Sequence, residues 1–176
     1  WLLDPIIASM DSMERRGEMM APAQDLKLDD MLFRYGARVN YDLVQDLLSS
    51  LIPVVTGMVG NQPKQQLLPW YFFPVMTPQS KHPIVNNLNS IKGQFVSSVD
   101  PINVNGIKTE VLLTTSKYSR ISPAPVRVSL GVMQYKPDPV DFPVKNVPVA
   151  MLMEGEFTSL YKNRIPPAIS ENKEIG

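Results

Sequence analysis

Glu110-Val111-Leu112-Leu113-Thr114-Thr115 reads as a strand covered on both faces. An unbroken apolar run of this length, closed by two β-branched threonines, is the pattern of strands sandwiched between layers rather than half-exposed. Val147 to Met153 is a second strong strand, and Gln94 to Ser98 and Arg127 to Met133 are further candidates. Helical periodicity is interspersed among them. In Asp25 to Tyr35, the residues Leu28, Met31, Leu32 and Tyr35 recur at i, i+3, i+4 and i+7. Asp29 and Asp30 suit the positive N-terminal end of that helix, Arg34 suits the other end, and Gly36 is a natural stop. Strands mixed with helices predict an α/β fold: a mixed, partly parallel sheet with flanking helices, in an incomplete domain.

Outward from these anchors the pattern is weaker. Asp4 to Ala23 is polar and rich in Met, and reads as a loop or frayed helix with a turn at Arg15-Arg16-Gly17. Tyr41 to Val55 supports two readings. Leu43, Val44, Leu47, Leu48 and Leu51 form a helical stripe, whereas Ile52-Pro53-Val54-Val55 reads as a strand. Gly57 to Gln66 reads as a polar loop, and Leu67 to Met76 as a buried extended segment. Pro69 and Pro74 assign that segment to a sheet edge or break it in two. Ser80 to Leu88 suggests a short helix opened at His82-Pro83. Lys136 to Pro143 is a Pro-rich connector, and Thr158 to Arg164 a last helix ended by Pro166 and Pro167.

Composition removes several classes of function. Lys and Arg total 17 and so do Asp and Glu, giving no net charge. A nucleic-acid surface needs a basic excess to displace counterions, so none is expected. The chain has no Cys, which excludes disulfides, thiolate metal sites and a Cys nucleophile. Its 17 prolines are about twice the usual share and imply stiff connections. No apolar run reaches the ~18 residues of a spanning helix. Trp1, with no Met before it, is expected to begin the chain in mid-domain.

Catalytic constellations are thin. His82 is the single histidine, so any triad would be built on it, with Glu154 or Asp46 as the orienting carboxylate of a hydrolase. No G-x-S-x-G elbow accompanies it. The pairs Asp29/Asp30 and Glu154/Glu156 read as a helix-start charge and a solvated turn. Gly57-Met58-Val59-Gly60 precedes no Lys-Ser/Thr, so it cradles no phosphate. No cofactor or metal is implied. The most site-like stretch is Thr114 to Arg120. It follows a strand, and ligands of open α/β sheets lie beyond the carboxyl ends of strands. Thr115, Ser116, Tyr118, Ser119 and Arg120 offer hydroxyls, a ring and a cation to a polar ligand such as a glycan. Trp70 and Tyr71 offer rings to stack on sugars.

Several stretches in order resemble the GldG family, the gliding-motility-associated auxiliary proteins of ABC transporters in Bacteroidetes. They run from Leu28-Asp29-Asp30-Met31-Leu32-Phe33-Arg34-Tyr35-Gly36 and Asp42-Leu43-Val44-Gln45-Asp46 to Leu68-Pro69-Trp70-Tyr71-Phe72-Phe73-Pro74. His82-Pro83-Ile84, Val111 to Arg120, Pro125-Val126-Arg127-Val128-Ser129-Leu130 and Glu154 to Arg164 continue the series. The resemblance implies that residues 1–176 are one extracytoplasmic fragment of a membrane-anchored protein. It implies a periplasmic position at the inner membrane and partnership with an ABC permease and ATPase. It also implies kinship with a domain shared with an intraflagellar-transport protein, an α/β fold for which polysaccharide or glycoprotein binding has been proposed. The family carries no established catalytic residues, so a non-catalytic interaction module is expected, with the glycan module and the His82 hydrolase as alternatives.

Overall fold

The computed structural model describes residues 1–159 and Lys162, with residues 14–16 described by backbone alone. Helix α1 (Met10–Arg16) ends at Gly17, whose φ of +71 is the left-handed geometry that suits a residue without Cβ. Strand β1 (Glu18–Ala21) follows, then the helix α2 (Asp29–Arg34) and β2 (Ala37–Val39). Gly36 between them has φ +94, and a Cβ there would lie 3.0 Å from Thr109 Cγ2 and 3.2 Å from the Ile102 carbonyl oxygen. The helical periodicity is thus real but yields 6 residues: the stop at Gly36 is where the pattern puts it, and the start is late because Lys27, at φ +58, is outside the helical region with its N–H given to Asp25 Oδ1.

The rest is sheet. Strands β3 (Asp42–Asp46), β4 (Ser49–Val59) and β5 (Gln62–Pro78) come in quick succession, followed by the short β6 (Ile91–Lys92) and β7 (Val99–Pro101). Then come β8 (Ile107–Thr114), β9 (Ser119–Pro123), β10 (Val126–Ser129) and, after two 3-10 turns, β11 (Pro148–Gly155). The main sheet runs β11-β8-β5-β4 with β6 beside β5, and β1-β10, β2-β7 and β3-β9 form separate pairs.

Every strand pairing among the described residues is antiparallel. The expected α/β fold with a partly parallel sheet and flanking helices is therefore wrong: the fold is mostly β, with two short helices. The physical reason lies in β8. Its inner end, Leu112 to Thr114, is buried on both faces, yet its outer half is partly exposed, and neighbouring strands cover it instead of helices. The Leu stripe of 43–51 resolves into β3 and the start of β4. The polar loop expected over 57–66 is the two-residue turn of a long hairpin, with Gly60 at φ +61. Ser80 to Leu88 holds turns but no helix: the His82 carbonyl accepts the N–H groups of Val85 and Asn86, and the Val85 carbonyl that of Leu88. Gln94 to Ser98 is in no strand, and Phe95 there has φ +50. The helix expected over 158–164 falls mainly outside the described residues.

Strand β5 organises the core. Pro69 and Pro74 do not break it. They flank the register irregularity where β4 shifts from Ser49↔Pro74 to Leu51↔Pro69, so their missing N–H groups fall where the ladder is already interrupted. Between them Trp70, Tyr71, Phe72 and Phe73 are all buried. Trp70 and Phe72 pack 5.2 Å apart, Phe73 meets Phe95 edge-on at 5.3 Å, and Tyr71 meets Phe142 at 5.7 Å. Leu43, Ile52, Met13 and Val128 complete this cluster. Beyond Pro69 the hairpin leaves the core, and residues 55–67 are exposed without a break.

Phe72→Ala is expected to cost about 3–5 kcal/mol by emptying a closed site. Leu67→Ala, on the projecting part of the same strand, should stay within about 0.5 kcal/mol. Urea unfolding midpoints of the two variants distinguish these outcomes.

Candidate functional site

Two features stand out: a buried polar node built on β3, and an apolar cleft beside it. Strand β3 is buried along its whole length, and an aspartate stands near each end on the same face, four residues apart. A buried carboxylate is tolerated only when its oxygens are hydrogen-bonded. Asp42 meets this need through Ser98, whose N–H donates to Oδ1 at 2.8 Å and whose hydroxyl donates to Oδ2 at 2.6 Å. Asp46 is better furnished. Its Oδ1 accepts the Leu48 N–H at 2.6 Å and the Ser116 hydroxyl at 2.7 Å. Its Oδ2 accepts the Ser116 N–H at 2.8 Å and the Ser119 hydroxyl at 2.7 Å. Thr115 Oγ1 lies 2.7 Å from Ser119 Oγ and accepts the Val147 N–H at 3.0 Å, so the network reaches the residue before β11.

The stretch read as a ligand loop is thus drawn together, but its hydroxyls face inwards. Thr115 and Ser119 are buried and Ser116 is half-buried, all three engaged around Asp46. Arg120 donates to Gln45 Oε1 at 2.6 Å and lies 5.2 Å over the Phe142 ring, so its cation is also held internally. Tyr118 alone among these residues is exposed, at 45%. Trp70 and Tyr71 are buried in the core, and Tyr71 meets the same Phe142 ring that Arg120 covers. The strand-end rule that singled out this loop applies to parallel sheets, and β8 is antiparallel to both its neighbours.

The residues weighed for hydrolysis are not assembled. His82 Nδ1 accepts the Ile84 N–H at 3.2 Å, and its backbone N–H donates to Ser80 Oγ at 2.8 Å. Among the described residues, neither Glu154 nor Asp46 shares a hydrogen bond with the imidazole; Glu154 lies 3.7 Å from Lys108 Nζ. Ser80 donates to Glu110, and that bond holds the Glu110 carboxyl below its ordinary value. No group of three or more metal-ligating side chains occurs among the described residues.

The cleft encloses about 880 Å³ and is lined by residues of α2, β2, β7, β8 and β11 and by Trp1 to Asp4. Leu32, Ala37, Val39 and Val99 line it together with Met151 and Met153, which pack against them, and Leu113 and Val149 line it as well. Ser97 and Ser98 also line it, but their hydroxyls are committed to the Asp42 carbonyl and carboxylate. Behind the wall, Asn40 and then Arg38 hold the Asp100 carboxyl below its ordinary value, against the opposing effect of burial. The support Asp100 gives to β2-β7 is present above the ordinary carboxylate value and is lost as the pH falls through its lowered one. Sequence reasoning missed this cleft. It placed β11 correctly as a strand, yet Val149 to Met153 is apolar at every position, so no alternation revealed an open face.

The family model for an auxiliary component of an ABC-type uncharacterized transport system matches residues 1–175. The chain belongs to that family. It is an auxiliary component of an ABC-type transport system, as the ordered series of motifs implied at that level. Searches among curated proteins and among solved structures return no match. No helix among the described residues is long and apolar enough to cross a membrane.

Asp46→Ala would strip the partner from two N–H groups and two hydroxyls at once. A loss of about 3–5 kcal/mol is expected in denaturant unfolding, whereas Tyr118→Ala should change stability by less than about 0.5 kcal/mol.

Proposed function

We propose that this domain is a non-catalytic module of the ABC transport system, working by contact with another protein through the apolar cleft. The observation that carries the reading is the chemistry of that cleft. Its walls are mainly aliphatic and thioether, with Trp1, Tyr35 and Phe157 as aromatic rings and Asp4 and Gln94 as further polar side chains, and the hydroxyls of Ser97 and Ser98 are already satisfied. A broad apolar depression suits a protein surface, and methionines adapt to the shape of what enters. The absence of a phosphate-cradling motif fits a system in which a separate subunit hydrolyses ATP.

The finer reading follows the resemblance of the motifs to GldG proteins. The domain then belongs to a membrane-anchored parent, faces the periplasm of a Bacteroidetes cell, and serves a gliding-motility-associated permease and ATPase. A polysaccharide- or glycoprotein-binding role is the alternative; of the seven residues offered for it, Tyr118 alone is exposed. Met151→Glu places a carboxylate on the half-buried cleft wall. In the intact parent protein it is expected to lower co-purified permease at least tenfold, while Tyr118→Ala leaves the yield unchanged. Undiminished permease with Met151→Glu, in a protein that still folds by circular dichroism, would sink the cleft as the contact surface.

A further inference from the structure

The outer part of the β4–β5 hairpin has no role in the fold described above. From Val55 to Leu67 it touches solvent on both faces, and no other strand among the described residues pairs with the free edge of β4. Its outward face is mostly apolar, with Gln65 opposite Val55. Leu51 lies opposite Pro69 and Pro53 opposite Leu67, with Val55 next along; Leu51, Val55 and Leu67 are 53%, 57% and 61% exposed. Met58 and Val59 near the turn are 64% and 66% exposed. From Leu47 to Ser80 the only charged side chain is Lys64. Edges that must stay single usually carry charges that repel a second strand. This edge has none.

We infer that the β4–β5 arm pairs with the same arm of a second copy of this chain, β4 against β4 and antiparallel. A row of unpaired N–H and C=O groups selects a β-strand as its occupant. A bilayer offers no partners for such groups and would penalise their insertion. A two-fold pairing over Val54 to Val59 sets only uncharged residues opposite one another, three of them valine, so it brings no like charges face to face. It also settles the single charge. Lys64 is on β5, so in the order β5-β4-β4-β5 the two ammonium groups sit three strand spacings apart, about 14 Å, beyond the ~8 Å screening length of physiological salt. Pro53 lacks an N–H and sets the inner limit of the window at Val54. The bulge between Val55 and Gly57 leaves Thr56 outside the β4–β5 ladder, so the new pairing is confined to the few residues on either side of it. The paired edge runs only from Val54 to Val59 in each copy, far short of the 20–30 residues a side of a standard interface, so a weak, concentration-dependent dimer is expected. This surface is separate from the cleft, and either reading can fail without the other.

The test is sedimentation equilibrium of the whole chain, alone and as Val55→Lys/Val59→Lys. Both sites are exposed, so the variant should fold, and thermal unfolding checks that it does. Because the chain has no Cys, single cysteines at Val55, Thr56 and Met58 report the contact directly under mild oxidation, with Val140→Cys outside the arm as control. The expected result is a dimer whose dissociation constant rises at least tenfold in the double-Lys variant, with disulfide-linked dimer from one or more arm cysteines and none from the control. A chain that stays monomeric up to about 1 mM overturns the inference. So does a dimer that the lysines leave unchanged, or a monomer that floats with phosphatidylcholine vesicles through the same residues.

Discussion

The rest of the structure depends on two carboxylates being kept satisfied inside the protein. Strand β3 is buried on both faces, so an alternation of apolar and polar residues cannot fix its register, and a slip of one residue would exchange its faces at little apolar cost. Asp42 and Asp46 remove that freedom. A one-residue slip would carry both away from the serine N–H and hydroxyl pairs that receive them, leaving charge buried without partners. The node therefore does for β3 what amphipathicity does for an ordinary strand. Through Ser98 it fixes the approach to β7, and through Ser116, Ser119 and Thr115 it fixes the turn from β8 to β9 and the entry to β11.

With β3 held, the aromatic run of β5 closes one core, and the remaining apolar surface is divided between smaller clusters that do not meet. One comprises Met76, Val85, Leu112 and Leu113, the other Leu32, Ala37 and Val99. The cleft is the gap between them, with β11 contributing side chains to both. The arm is a different kind of surplus: strand pairing prolonged past the point where there is anything to pack upon. A domain that leaves a cleft unfilled and an arm unsupported carries apolar area in excess of its own core, which is the physical signature of a component that works in an assembly.

Much of the strand content was legible, because apolar runs such as Val111 to Leu113 and Val147 to Met153 identify buried strands whatever the sheet. Their direction was not. A strand buried on both faces looks the same whether helices or other strands cover it, so β8 invited a parallel reading that its antiparallel partners refute. The hairpin was hidden by its prolines and glutamines, which mimic a loop unless Gly60-Asn61 is recognised as the turn. At the site, Thr115 to Arg120 was located as a special segment, and it is one. Spacing alone gave no means of telling hydroxyls aimed at a ligand from hydroxyls aimed at Asp46, because the partner lies 70 residues earlier in the chain.

The node joins two stretches far apart in the chain. Val111 to Arg120 and Asp42 to Asp46 were both among the stretches that carried the resemblance, and the structure joins them in one hydrogen-bond network. Residues that occur together because they hold each other in place describe a framework, and their chemistry says what the fold needs before it says what the fold binds. Recognition is then to be sought where the network does not reach. The cleft walls meet the node only at Ser97 and Ser98, and the arm does not meet it at all.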